Sequence, residues 1–194
     1  VPTVWGQAQK APFSFKTCFE RYENIGLITA AVDATIEMIA GPGYHTEAED
    51  AEAKQVVDDF AEEVNLDGVL MDAIMDCAVC GNSFIEKVLE DQQIIGLNYL
   101  DPLSMEQSIT LRKAEGWGLF YPEVEKYQQY IKGVKAAEWT PDRIIHLTWV
   151  RPRNAAYGVG MVRPVENYVK IILGAEEDMA KIIKRYAAPK VAWM

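Results

Sequence analysis

Ala78-Val79-Cys80-Gly81-Asn82-Ser83-Phe84-Ile85-Glu86-Lys87-Val88 is where this chain changes its period. Up to Cys80, the apolar residues Val69, Leu70, Ile74 and Cys77 recur at helical spacing; beyond Asn82, apolar and polar residues alternate as in a strand. Gly81-Asn82 is the break, since glycine accepts the positive φ that ends many helices. Working back, Asn65 or Asp67 can cap this helix, read as Leu66 to Cys80. An earlier one runs from about Ala48 to Val64 with Val56, Val57, Phe60 and Val64 as its apolar face. Cys18 to about Ala40 reads as one long helix stopped by Gly41-Pro42-Gly43. Working forward, Ser83–Glu90 and Gln93–Leu100 flank a hairpin turn at Asp91-Gln92, and Asp101-Pro102 ends the pair. Ile109–Arg112, Trp117–Tyr121, Tyr127–Lys132 and Arg143–Trp149 alternate similarly, with turns at Glu115-Gly116 and Thr140-Pro141-Asp142. A last helix spans about Met161 to Tyr186, and Ala187-Ala188-Pro189 closes it before a short terminal strand. Helices, then a mainly antiparallel sheet, then a long C-terminal helix define an α+β fold rather than βαβ.

The 194 residues suffice for one well-buried domain with an arm. Residues 1–17, with Pro2, Gly6 and Pro12 and no periodicity, read as an arm or linker, and 18–194 as the domain. With 49% hydrophobic and 25% charged residues, the composition is that of a soluble globular protein. No signal peptide is expected. The most apolar stretch, Ile25 to Ala40, carries Asp33 and Glu37 and is too short to span a bilayer. The missing initiator Met and the apolar ending at Trp193-Met194 suggest a piece of a longer chain. Three cysteines argue for a reducing compartment over a disulfide scaffold.

Net charge is −10 and unevenly spread. From Thr140 onward nine basic residues face five acidic ones, leaving ten against 24 before it, or about +4 and −14. So acidic a body is a poor trap for nucleic acid, whose phosphates demand positive charge. It suits a surface that lets DNA pass without holding it.

The chemistry-bearing residues form no catalytic set. Cys77-Ala78-Val79-Cys80 stands at a helix end, where a thioredoxin-like pair would stand at a helix start; zinc would need Cys18, His45 or His146 as further ligands, and none has ligand spacing. Asp58/Glu62 and Asp59/Glu63 lie one helical turn apart and could hold a hard cation, the basis of an alternative reading as a divalent-metal-dependent hydrolase or nuclease. They also describe an ordinary solvated acidic face. His146, between Ile145 and Leu147, reads as a hydrogen-bonded core or interface histidine. Gly158-Val159-Gly160 lacks the rest of a phosphate loop and more simply gives the chain room to turn. Arg151, Arg153 and Arg163 flank that turn and are candidates for contact with a neighbouring subunit's acidic face or with DNA phosphate. The acidic stretch Glu47–Glu63 would be the opposite side of such a contact.

Four short motifs in order carry a resemblance. They are Gly81-Asn82-Ser83-Phe84-Ile85-Glu86-Lys87, Leu97-Asn98-Tyr99-Leu100-Asp101-Pro102-Leu103-Ser104-Met105, Thr140-Pro141-Asp142-Arg143-Ile144-Ile145-His146-Leu147 and Tyr157-Gly158-Val159-Gly160-Met161-Val162-Arg163-Pro164. From about Tyr22 to Met194 the chain resembles the portal, or head-to-tail connector, proteins of tailed phages. The resemblance implies a non-enzymatic structural protein without cofactor or metal. It would be the α+β wing of a usually dodecameric ring at one capsid vertex, through which DNA is packaged and ejected, with stem and clip following Met194. Implied partners are further copies of itself, the terminase, the major capsid protein, a head-tail adaptor and passing double-stranded DNA, with no membrane. The implied location is the virion, and the host cytoplasm during assembly. Gly81 and Gly158 match as turn formers, Asp101-Pro102 as a strand end and Pro141-Asp142 as a strand start.

Overall fold

The computed structural model describes residues 8–9, 11–113, 120–151 and 155–186, and the architecture below is that of these residues. Four helices come first: α1 (Phe15–Asn24), α2 (Gly26–Ala40), α3 (Ala51–Glu63) and α4 (Leu66–Cys80). The strands are β1 (Ala8–Gln9), β2 (Asn82–Glu90), β3 (Gln93–Leu100), β4 (Met105–Lys113), β5 (Phe120–Ile131), β6 (Val134–Trp139) and β7 (Ile144–Thr148), and α5 (Val162–Tyr186) closes the chain. The α+β class and the long C-terminal helix are as the sequence predicts. By contacts the chain divides into two compact units, Val1–Arg163 and Pro164–Met194.

The expected single helix from Cys18 to Ala40 is two. Ile25 takes an extended conformation (φ −121°, ψ 96°) and serves as the C-cap of α1 and the N-cap of α2. The Thr29 hydroxyl donates to the Tyr22 carbonyl across the break, satisfying an acceptor that a continuous helix would have bonded through its backbone. Ser14 caps α1 by accepting from the Thr17 N–H at 3.1 Å, and Asp50 caps α3 from Glu52 N–H at 2.9 Å. The expected inward face of α3 is also corrected. Val56 and Val57 are 68% and 51% exposed, and Ala61 is the residue that packs inward. Their spacing fits a buried stripe, but α3 offers only a narrow contact with its neighbours.

The strands form two antiparallel sheets where the sequence suggested one. β3-β2-β7 is three-stranded; β1-β4-β5-β6 is four-stranded. Two tight turns set the hairpins. Asp91-Gln92 (φ 47° and 68°) joins β2 to β3 with Glu90 opposite Gln93, and Lys132-Gly133 (φ 51° and 81°) joins β5 to β6 with Ile131 opposite Val134. The segments expected near Trp117–Tyr121 and Tyr127–Lys132 belong, where described, to the single strand β5; β6 was not anticipated, because Val134-Lys135-Ala136-Ala137-Glu138-Trp139 alternates only weakly. The turn at Glu115-Gly116, Arg153 and the terminal strand lie outside the described residues.

One core joins the helices to strands of both sheets. Val32 and Ile36 of α2, Phe15 and Cys18 of α1, and Ala78, Val79 and Cys80 of α4 pack with Phe84, Leu100, Met105, Tyr127 and Ile144 from the strands. The last turn of α4 is buried all round, the expected state of a helix enclosed on every side.

Candidate functional site: a glycine-lined joint

The site to which the singled-out residues converge is the passage from α4 into β2. Gly81 sits at φ +90° as the C-cap of α4, and its N–H reaches the Asp76 carbonyl at 3.2 Å. Three glycines meet there. A Cβ on Gly81 would stand 2.3 Å from the Gly160 nitrogen, one on Gly158 would stand 2.3 Å from the Gly81 oxygen, and one on Gly160 would stand 2.5 Å from the Val79 oxygen. Backbone can approach backbone this closely only where no side chain intervenes. The contact is locked by backbone bonds: Trp149 N–H to the Gly81 carbonyl (3.1 Å), Met161 N–H to the Ala78 carbonyl and Val159 N–H to the Val150 carbonyl (both 2.7 Å). Gly81, at the end of α4, and Gly158 thus touch backbone to backbone, a link that sequence order alone does not disclose.

Asn82 is the hub of this joint and was not assigned a role from the sequence. Its fully buried amide donates to the Gly158 carbonyl (3.0 Å) and the Cys80 carbonyl (3.3 Å), and its Oδ1 accepts from the Gly158 N–H (2.8 Å). The same Oδ1 lies 3.1 Å from His146 Nε2, so that nitrogen is the one carrying hydrogen. Nδ1 is then free to accept from the Tyr127 hydroxyl at 3.3 Å. His146 also stacks on Phe84, with ring centroids 4.5 Å apart. Burial pushes the imidazole down to about 3 and the Tyr127 phenol up to about 12, so both are neutral at ordinary pH. The Tyr–His–Asn chain has the connectivity of a triad with no nucleophile: a buried, neutral phenol has little power to attack. The only signal in the sequence was the Gly-Asn pair at the change of period.

The remaining candidates are dispersed. Asp101 caps the short 3₁₀ turn Pro102–Ser104 by accepting from Leu103 N–H at 2.8 Å, and Pro102 is buried at its start. Pro141–Arg143 forms a second such turn that leads directly into β7. Arg151 is exposed and its Nε donates to the Ala155 carbonyl (3.0 Å), while the Arg163 guanidinium lies over the Phe13 ring at 5.2 Å. Cys77 and Cys80 are free and buried. Burial pushes the Cys77 thiol up to about 12 and Cys80 higher still, which suits small core residues and not reactive thiols. On α3, Asp58 accepts from Lys54 (2.5 Å) and Thr46, which hold its carboxyl below the usual range, and Asp59 accepts from Gln55 (2.6 Å). These carboxylates are engaged with side chains of their own helix and its approach. Among the described residues, no group of three His, Cys, Asp or Glu is placed to hold a metal.

One buried carboxylate is only half engaged. Asp76 is only 4% exposed; Tyr99 bonds one of its oxygens, Oδ2 has no partner, and Asp101 and Asp72 lie nearby. Burial first, and the two neighbouring carboxylates after it, push Asp76 up to about 7.

The comparisons with known proteins bear on this fold. No protein-family profile matches the chain, and no curated protein matches it by sequence. Solved structures do. Chains from the virion of a native gene transfer agent (GTA) particle, from the neck of an empty GTA particle computed with C6 symmetry and from the neck of a native GTA particle computed with C12 symmetry are similar to it. Their TM-scores are 0.71, 0.73 and 0.70 at 17%, 18% and 17% identity, over 96%, 95% and 95% of this chain. At that identity the likeness shows a shared fold. This chain spans about half the length of those it matches, 49%, 50% and 49% of each.

Proposed function

We propose that this chain is a structural component of a phage-like particle. In the finer reading it is the wing of a portal ring at one capsid vertex, through which DNA enters and leaves. The observation that carries this is the fold shared with virion and neck chains over at least 95% of the sequence. Two features support it. The Gly81–Gly158–Gly160 joint, with Asn82 and His146 wired into it, is a device for rigidity. The acidic body before Thr140 presents like charge to passing DNA phosphate and so would not retain it. Terminase, capsid protein and head-tail adaptor would dock on the assembled ring. Arg151, Arg153 and Arg163 would face a neighbouring subunit.

Gold-labelled antibody against this chain, applied to particles from cells that carry the gene, tests the reading. A single label at the junction of head and tail supports it. Label distributed over the shell, or none on particles, overturns it.

A further inference from the structure

We propose that the apolar face of α5 in one copy seats on the groove between α2 and α4 of a second copy, making a head-to-tail contact. The proposal rests on the self-assembling reading above and names the surfaces that assembly would use. Val165, Tyr168, Ile172, Met179, Ile182 and Tyr186 recur at steps of three, four and seven along α5, and each is between 39% and 70% exposed. That repeat draws one stripe along a helix of about 37 Å, far more apolar surface than an isolated surface helix leaves to water. The first unit carries a surface to match. A groove of about 470 Å³ lies between the end of α2, the loop after it and α4, lined by Ile39, Tyr44, Leu70, Met71 and Ile74 with Asp67 at its edge. Ile39, Tyr44 and Met71 are 48%, 41% and 42% exposed.

Charge selects the pairing. Helices α2 and α4 expose Asp33, Glu37, Asp67 and Asp72 and contain neither Lys nor Arg. The last two turns of α5 carry Lys181, Lys184 and Arg185 beside Met179, Ile182 and Ile183. A basic apolar helix end is therefore complementary to an acidic apolar groove, whereas two α5 helices in parallel register would set Lys184 and Arg185 against themselves. The two patches differ, so the contact is heterologous and closes into a ring where the rotation permits.

Disulfide trapping between two tagged variants tests this. Met71→Cys with one mass tag is mixed with Ile183→Cys carrying another and oxidised gently. Both sites are exposed, and the native cysteines are buried. The proposal expects mixed-tag dimers to dominate, with little product from either variant alone. Replacing Lys184 and Arg185 by Glu should lower the yield roughly threefold or more at low salt. Exchanging Met71→Cys for Val56→Cys, off the groove, should abolish it. Ile183→Cys self-dimers in excess, or no mixed dimer with both variants folded by circular dichroism, overturns the contact. So does efficient intrachain closure in a chain bearing both substitutions. Mixed dimers from a chain that never enters a particle would keep the contact and sink the portal reading; particles that form without the cross-link would do the reverse.

Discussion

Asn82 satisfies four hydrogen-bonding groups from three segments, and it does so with no exposed surface. Asn82→Ala leaves the Gly158 N–H and carbonyl buried without partners, and the protein should lose about 2–4 kcal/mol, read from urea unfolding. Two desolvated titratable groups, half-buried His146 and buried Asp76, act on stability in opposite directions. His146 is pushed down to about 3 in the fold, so the unfolded chain takes its proton first. Its contribution is complete above about 6.5 and is lost as pH falls toward 3. Asp76 is pushed up to about 7, so the folded state holds its proton longer. Its contribution is complete below about 3.8 and is lost as pH rises through 7. Asp76→Asn should therefore stabilise the protein by on the order of 1–3 kcal/mol at pH 8 and by little or nothing at pH 4. Urea midpoints at the two pH values check this; an equal effect at both would contradict the burial of an ionisable Asp76.

At the scale of elements, one substitution should give opposite results at two glycines. Gly158→Ala would drive a methyl to 2.3 Å from the Gly81 oxygen and 2.9 Å from Thr148 Cβ, and should cost more than about 2 kcal/mol. Gly174→Ala lies within α5 with nothing within 4 Å of the added carbon, and should raise the thermal stability of that helix by about 0.5–1 kcal/mol. Thermal scans of the two variants decide. The elements that sequence disclosed well are those where local chemistry and tertiary packing agree: α4 ending at Gly81, the β2–β3 hairpin at Asp91-Gln92, and β7 launched by Pro141. It failed where they part. The break at Ile25 interrupts an unbroken apolar period, and β6 lacks the alternation that marks its partner β5. The joint was half legible. Gly81 and Gly158 stood out as turn residues, but their contact and the role of Asn82 depend on a separation of 76 residues that no local pattern encodes.

For the molecule as a whole, charge, fold and surface are the observations on which the proposed assembly rests. Acidic residues outnumber basic ones 24 to ten before Thr140, basic residues outnumber acidic ones nine to five after it, and the long terminal helix carries an apolar stripe with a basic end. His146 and Tyr127 are held neutral at the joint, and Asp76 is buried. Electron microscopy of the full product of the gene that encodes this chain tests the central claim most directly. The account predicts closed rings with a central channel and a single rotational symmetry, with this domain forming part of each repeat. A protein that stays monomeric at every concentration, or assembles only into open filaments, would contradict it.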